Sequence, residues 1–155
     1  MMCKAPTQPV SILLVEDDEI DAKAFMRAIQ DQRISNPVLR AKDGVEAWEV
    51  LKGMSGDVPI DRPYIIILDI NMPRMSGIEL LRQIRDDEAL RDSIVFVLTT
   101  SNDDEDKFEA YNLNVAGYML KSDMGNSFIR AVELIDKYWR VVEMPIARAE
   151  AATAA

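Results

Sequence analysis

The fold is decided by YIIILD at residues 64–69, an uninterrupted apolar run that ends in Asp69. Apolar residues that follow one another without alternation are typical of a strand buried on both faces, as in a parallel sheet covered by helices. Parallel strands are joined by crossover connections of a dozen residues or more, which are usually helices. This run therefore predicts a chain in which strands and helices alternate.

The flanking sequence has that alternation. Further apolar runs predict strands at residues 10–15, 38–41, 94–98 and 116–120. Helices are predicted at residues 19–32, at 44–52, from 77 onward, at 103–113 and at 123–142. Five such units with right-handed crossovers fit an α/β fold, a (βα)5 doubly wound parallel five-stranded sheet with strand order 2-1-3-4-5.

The apolar spacing in two helices predicts which residues face the core. Residues three and four apart share one face of a helix. The inward positions are expected to be Ile20, Ala24, Phe25, Ala28 and Ile29 in the first helix, and Ile78, Leu81 and Ile84 in the third.

Length and composition suit one domain. The chain has 155 residues, of which 48% are hydrophobic and 29% charged, and this size allows a sizeable buried core. No apolar run approaches the length that spans a bilayer, and residues 1–9 lack the apolar segment of a secretory signal. We therefore expect a cytoplasmic protein with no membrane partner.

Charge and residue counts exclude several functions. The net charge of −9, from 27 acids and 18 bases, argues against nucleic-acid binding, which depends on Lys and Arg that neutralise phosphates. The sequence contains no histidine, which excludes Ser-His-Asp and Cys-His catalysis, His-ligated zinc and a self-phosphorylating histidine. The single cysteine, Cys3, cannot form an internal disulfide. The chemistry must therefore use carboxylates, hydroxyls, lysine and a hard metal ion.

Polar residues stand where the predicted strands end. Glu16-Asp17-Asp18 follows the first strand, Asp69-Ile70-Asn71 the third and Thr99-Thr100 the fourth, and Lys121 follows the fifth. In an open α/β sheet the ligand site lies beyond the carboxyl ends of the strands, where the strand order reverses. These four strand ends should therefore converge on one small patch of surface.

Each of these features also has an ordinary structural explanation. Acids before a helix often cap it, Asp69 could begin a turn, Thr99 could be a β-former and Lys121 a solvated charge. Carboxylates crowded at one edge, however, raise one another's pKa values unless a cation intervenes. A hard divalent ion, Mg²⁺ (or Mn²⁺), resolves that repulsion. A carboxylate can then act as a nucleophile toward a phosphoryl group, whose oxygens the metal ion, a lysine and a hydroxyl would stabilise.

The sequence resembles the receiver domain of two-component response regulators. The matching motifs are ILLVEDD at 12–18, IILDINMP at 66–73 with Gly77, VLTT at 97–100 and GYMLK at 117–121. This resemblance implies a flavodoxin-like receiver fold over residues 10–142. We expect a flexible N-terminus (1–9) before it and a tail (143–155) after it.

The resemblance also implies the metal ligands. Asp17 and Asp69 would bind the ion directly, Glu16 would help to hold it through water, and Asn71 would give its backbone carbonyl. Asp18 falls one position beyond the family's acidic pair, so we expect it to cap the first helix.

For the phosphoryl group, the resemblance implies Asp69 as the phosphoacceptor and Lys121 as the cation that pairs with the acyl phosphate. Thr99 would be the switch hydroxyl that moves to a phosphoryl oxygen, and Tyr118 the aromatic side chain whose rotamer follows. Most receivers have a proline after this lysine, with a cis bond, whereas Ser122 follows Lys121 here. A cis non-proline bond costs about 3 kcal/mol, so a trans or strained peptide is expected.

A histidine kinase is the implied partner: it phosphorylates its own histidine, and Asp69 takes that group. The protein would then be a signalling phosphoacceptor and not a conventional enzyme, catalysing only its own phosphotransfer and slow dephosphorylation. The motifs TTSNDDED at 99–106, YW at 138–139 and MPI at 144–146 resemble the small response regulators paired with bacterial phytochromes.

The last predicted helix has two apolar stripes. One, expected to face the core, contains Phe128, Val132, Ile135, Trp139 and Val142, and the other contains Ala131, Leu134, Tyr138 and Val141. The second stripe leaves apolar surface outside a lone domain. It predicts a homodimer or partner contact, with residues 141–146 as an arm that crosses to a second subunit.

Three other functions compete with this interpretation. A phosphohydrolase of the haloacid dehalogenase type needs a second acid two residues after its nucleophile, where Asn71 stands here. A flavodoxin-like FMN binder needs a neutral phosphate loop after the first strand, where Glu16-Asp17-Asp18 would repel phosphate. The third alternative is a receiver-like interaction module that is not phosphorylated and signals by binding alone.

Overall fold

The computed structural model describes residues 10–54, 60, 62–72, 75–100, 102–121, 133, 134, 137 and 138. Within these residues, strands and helices alternate as predicted, and predicted ends differ from observed ones by a single residue at most. The elements are β1 Ser11–Val15, α1 Glu19–Asp31, β2 Val38–Ala41, α2 Gly44–Lys52, β3 Tyr64–Leu68, α3 Gly77–Asp86, β4 Ile94–Thr99, α4 Asp104–Asn112 and β5 Gly117–Leu120.

The five strands form one parallel sheet in the order β2-β1-β3-β4-β5, which confirms the predicted doubly wound topology. β3 is central and buried at every position. Its Ile66 and Leu68 belong to the core cluster that includes α2 and α3, whereas its Ile65 and Ile67 belong to the cluster that includes α1. Burial on both faces is the reason that the run at 64–68 does not alternate with polar residues.

The helices begin at side chains that cap them. Asp18, Asp43, Ser76 and Asp103 each accept a backbone N–H from the first turn of the helix that follows. Such a cap satisfies donors that have no partner within the helix. The prediction that Asp18 caps the first helix is confirmed.

The prediction that Ile20 faces the core is wrong, because its exposed fraction is 78%. The buried face of α1 contains Ala22, Phe25, Ala28 and Ile29. At 3.6 residues per turn, a residue five positions before Phe25 points about 140° away from it. Ile20 therefore stands on the solvent side of the first turn.

Four residues of the predicted last helix are described, and all four are helical. Leu134 is half-exposed, as expected of the outer stripe, but Tyr138 packs against the core. Its ring meets Phe96 edge to face, with centroids 5.1 Å apart and an interplanar angle of 89°. The assignment of Tyr138 to the outward stripe is therefore wrong, because an aromatic ring of β4 lies within its reach.

Several predictions lie outside the described residues. They concern the N-terminus (1–9), residue Ser122 and its peptide, the inner stripe of the last helix, and the tail (143–155) with its dimer arm. Among the described helices, none combines the length and the apolar character needed to cross a membrane.

Candidate functional site

Glu16 and Asp17 follow β1 directly and are held in place by β2. The backbone N–H of Glu16 donates to the carbonyl of Ala41 at 3.0 Å, which extends the sheet by one rung beyond β1. Arg40 of β2 donates to the carbonyl of Glu16 at 3.0 Å and to that of Asp17 at 3.3 Å. The Glu16 side chain is buried at this end of the sheet, whereas Asp17 is exposed.

Arg40 also forms an ion pair with Glu19 of α1 at 2.8 Å. One guanidinium therefore joins the loop after β1 to the start of the next helix, which suits its planar fork of donors. Sequence reasoning missed Arg40. The only indication in the sequence is a basic residue in the short predicted strand at 38–41, which lies beside the strand that leads to Glu16 and Asp17.

Asp69 stands at the end of β3, next to the first strand. Its backbone N–H donates to the carbonyl of Val15 at 3.0 Å. Its Oδ1 accepts the Thr99 hydroxyl at 2.8 Å and the backbone N–H of Asn71 at 3.0 Å. Asp69 is 6% exposed and Thr99 is fully buried, so this hydroxyl–carboxylate contact is shielded from water.

Lys121, just after β5, reaches the same place. Its Nζ lies 2.6 Å from Oε1 of Glu16, 2.8 Å from Oδ2 of Asp21 and 3.1 Å from Oδ2 of Asp69. The Lys121 side chain is only 8% exposed, so it is not a solvated charge. Asp21 was not predicted as a site residue, because an acid in the first turn of a helix usually serves the helix dipole alone.

The close packing of these groups shifts two of their pKa values. Burial, strengthened by the neighbouring Asp69 carboxylate and opposed by Lys121, raises the pKa of Glu16 to about 9. Burial alone would lower the pKa of the Lys121 ammonium, but the carboxylates of Asp21, Glu16 and Asp69 outweigh it and raise that pKa. The site thus has more carboxylates than its ammonium can neutralise.

Three of the carboxylates are arranged so that they could share a metal ion. Glu16, Asp17 and Asp69 each offer an oxygen, and these oxygens lie within 4.8 Å of one another. Oxygen donors of this kind suit hard divalent cations. Asn71 lies beside this cluster through its backbone N–H, and its side chain is exposed.

Tyr118 lies on β5, the edge strand next to β4. It pairs with Val97 in the sheet register and is half-buried against the core cluster that includes α3. The structure therefore brings Glu16, Asp17, Asp69, Thr99 and Lys121 together, and places Tyr118 on the strand that leads to Lys121.

The start of α3 comes unusually close to the loop that carries Asp69. The backbone N–H of Gly77 donates to the carbonyl of Ile70 at 3.1 Å. A Cβ at position 77 would lie 2.5 Å from Cα of Ile70 and 2.6 Å from the carbonyl oxygen of Asp69. A glycine is required here because these are backbone atoms, which cannot turn aside as a flexible side chain can.

This geometry supports attack by a carboxylate on an electrophile that carries negative charge. The Asp69 carboxylate is the candidate nucleophile. Around it are an ammonium, a buried hydroxyl and a cluster of oxygens suited to a cation, which are the groups that stabilise a transferring phosphoryl group.

Comparison with a family model and with known proteins identifies response regulators in each case. The family model described as "Response regulator receiver domain" matches residues 12–133. The response regulator Rcp1 of Synechocystis sp. is 31% identical over 140 residues, which are 90% of this chain and 95% of that protein.

Two solved structures are also similar. The phosphorylated cyanobacterial phytochrome response regulator RcpA has a TM-score of 0.80 at 31% identity, over 89% of this chain and 99% of that one. The Mn(2+)-bound form of Rcp1 has a TM-score of 0.78 at 31% identity, over 88% of this chain and 99% of that one.

Proposed function

The chain belongs to the response regulator receiver family of two-component signalling, and from that premise we propose that Asp69 accepts a phosphoryl group from a histidine kinase in a Mg²⁺-dependent reaction. One observation carries the proposal. The buried Asp69 carboxylate contacts both the Thr99 hydroxyl and the Lys121 ammonium, beside two further acids.

The transfer is a substitution at phosphorus. A carboxylate oxygen of Asp69 forms a bond to phosphorus, and the bond from phosphorus to the kinase histidine breaks. The imidazole leaves with that electron pair and takes a proton. With acetyl phosphate as donor, the bond that breaks is phosphorus to oxygen, and acetate leaves.

Residues of this chain would stabilise the group in transfer. The Thr99 hydroxyl, which donates to Asp69 before transfer, turns to a phosphoryl oxygen. The Lys121 ammonium pairs with a second oxygen from its position 3.1 Å from Asp69. Both donors already contact the Asp69 carboxylate before the reaction, so neither has to be brought in from elsewhere.

The acidic cluster fits the divalent ion that this family implies. Glu16, Asp17, Asp69 and the backbone carbonyl of Asn71 would hold Mg²⁺ (or Mn²⁺). Mutual repulsion and burial disfavour the charged state of Glu16, whose pKa is raised to about 9, and a cation relieves that cost. When bound, the ion supplies positive charge to the phosphoryl oxygens.

Output would follow from a change of state, through altered binding of other proteins. Once Thr99 is drawn to the phosphoryl group, Tyr118 of β5 gains room to turn inward, and the surface formed by α4, β5 and the last helix changes. The similarity to a phytochrome response regulator favours a bacterial phytochrome as the kinase. We further propose that residues 10–142 form the receiver domain and that the last helix and the tail join two copies.

The test is the intact mass of the protein after incubation with acetyl phosphate, with and without Mg²⁺. The wild type should gain one phosphoryl group only with Mg²⁺, and Asp69→Asn should gain none while keeping the melting temperature of a folded protein. Asp31→Asn, the same charge change at the far end of α1, is the matched control and should react as the wild type does.

A gain of mass in Asp69→Asn equal to that of the wild type would contradict the site. If the wild type gains no mass from acetyl phosphate or from a phosphorylated kinase, the chain is instead an interaction module that binds without being phosphorylated.

A further inference from the structure

We propose that Asp21 is a positioning residue that holds the Lys121 ammonium beside Asp69 while the phosphoryl group is bound. The inference rests on the proposed function, since it concerns the aspartyl phosphate state. The observation behind it is the 2.8 Å contact between Oδ2 of Asp21 and Nζ of Lys121.

The three acceptors of Lys121 have different roles. An ammonium carries three N–H donors, and here they face Glu16, Asp21 and Asp69. Glu16 and Asp69 belong to the oxygen cluster that could hold a metal ion, whereas Asp21 does not. Phosphorylation also changes the Asp69 carboxylate itself. Asp21 is therefore the acceptor that both metal binding and phosphorylation leave free to hold the lysine.

Asp21 is fixed well enough to act as an anchor. It stands in the first turn of α1, where its backbone N–H donates to the capping carboxylate of Asp18 at 3.0 Å. Its side chain is 31% exposed, compared with 60% for Glu19 in the same turn. A lysine side chain is long and flexible, so an acceptor on a capped helix restricts where its ammonium can lie.

Support of the helix dipole is the competing role for an acid at this position. That role predicts an effect on stability which does not depend on Lys121. A positioning role predicts that the effect on phosphoryl binding disappears once Lys121 is replaced. A double-mutant cycle distinguishes the two roles because it isolates the interaction between two residues.

The experiment compares wild type, Asp21→Asn, Asp21→Glu, Lys121→Gln and the double variant Asp21→Asn/Lys121→Gln. The matched control is Asp31→Asn, an exposed acid on the same helix. The probe is beryllofluoride, a mimic of the phosphoryl group on a carboxylate, at saturating Mg²⁺. Its affinity is measured by titration calorimetry. The rate of phosphorylation by acetyl phosphate and the melting temperature are measured in parallel.

We expect Asp21→Asn to weaken beryllofluoride binding about tenfold. Losses of this size are typical when a residue that orients a ligand-binding side chain is replaced. Asp21→Glu should recover most of that loss, because it keeps the charge at a side chain that is partly exposed. Asp31→Asn should bind as the wild type does. In the Lys121→Gln background, Asp21→Asn should cause no further loss.

Three results would overturn the positioning role alone: unchanged affinity in Asp21→Asn, tighter binding or faster phosphorylation in that variant, or an equal loss with and without Lys121. Tighter binding or faster phosphorylation would mean that Asp21 competes with the phosphoryl group for Lys121. An equal loss with and without Lys121 would mean that Asp21 acts through the helix dipole. If the wild type does not bind beryllofluoride, this inference fails. The proposed function fails with it only if the wild type also gains no phosphoryl group from acetyl phosphate or from a phosphorylated kinase.

Discussion

Thr99 and Lys121 contact different oxygens of the Asp69 carboxylate. The Thr99 hydroxyl donates to Oδ1, and the Lys121 ammonium donates to Oδ2. Both side chains are almost completely removed from water. Electrostatic interactions are stronger in such surroundings than in water. Each donor should therefore contribute to phosphoryl transfer in a way that single substitutions can measure.

Replacing Thr99 by Val keeps the shape and removes the hydroxyl. A hydrogen bond to a charged group contributes about 1.5–3 kcal/mol, and 1.4 kcal/mol corresponds to a factor of ten. We therefore expect Thr99→Val to be phosphorylated by acetyl phosphate roughly tenfold more slowly, or more slowly still, as followed by intact mass over time. Thr100→Val, at an exposed position next to it, should react at the wild-type rate; a loss of equal size there would refute the role of Thr99.

Sequence alone predicted some of these residues and missed others. Asp69, Thr99 and Lys121 stand at strand ends, and a parallel sheet brings its strand ends to one edge. Asp21 and Arg40 lie within elements instead, and their contacts depend on how far a side chain reaches across the fold. Sequence periodicity assigns residues to the faces of a helix or strand, but it does not show which side chains of other elements they can reach.

The start of α3 and the loop after β3 form one packed unit, because Gly77 leaves no side chain between them. In Gly77→Ala, the added Cβ would lie 2.5 Å from Cα of Ile70, so the loop carrying Asp69 must shift. Overpacking of this kind costs about 1–3 kcal/mol. We expect a lower melting temperature together with slower phosphorylation.

The control for this variant is Ser76→Ala, one residue earlier. It removes the cap of α3, in which the Ser76 hydroxyl accepts the N–H of Glu79 at 3.3 Å, and should cost about 1 kcal/mol of stability. It adds no atom near Asp69, so its phosphorylation rate should stay close to that of the wild type. If both variants lose rate in proportion to stability, the close approach at Gly77 has no specific effect on the site.

Strands and helices were predicted well because their signals are local. Apolar runs mark the buried strands, and capping residues mark the helix starts. The errors at Ile20 and Tyr138 concern which side of a helix is covered. That depends on neighbours far away in the sequence, such as Phe96 against Tyr138.

The excess of acids extends from the site to the entire chain, whose net charge is −9. A cation that binds the folded state stabilises it by mass action, by about 2.7 kcal/mol at one hundred times its dissociation constant. For a domain of this size that corresponds to a rise in melting temperature of roughly 5–10 °C. Removing the ion with a chelator should reverse the rise.

The rise in melting temperature that the cation causes should depend on pH. The pKa of Glu16 is raised from 4.5 to about 9, so the metal-free folded state holds a proton that the unfolded state releases. The stability from this proton is present at low pH and is lost as pH rises toward 9. Mg²⁺ requires the deprotonated carboxylate, so the rise in melting temperature at a fixed, subsaturating Mg²⁺ concentration should be larger near pH 8.5 than near pH 6.5.

Thermal unfolding of the wild type, Asp17→Asn and Asp31→Asn with and without Mg²⁺ checks this expectation. Asp17 is one of the three acids of the cluster, so its variant should lose most of the gain, whereas Asp31→Asn should keep it. An equal gain at both pH values, or in all three proteins, would show that the ion acts elsewhere.

The most direct test of the central claim is to identify the residue that carries the phosphoryl group. The protein is incubated with acetyl phosphate and Mg²⁺, the acyl phosphate is reduced with borohydride, and the resulting peptides are sequenced by mass spectrometry. Reduction converts an aspartyl phosphate to homoserine, so we predict homoserine at position 69 and at no other acid. Homoserine at position 17 or 18 with position 69 unchanged, or no reduced residue in protein whose intact mass has increased by a phosphoryl group, would contradict the assignment of Asp69 as the phosphoacceptor.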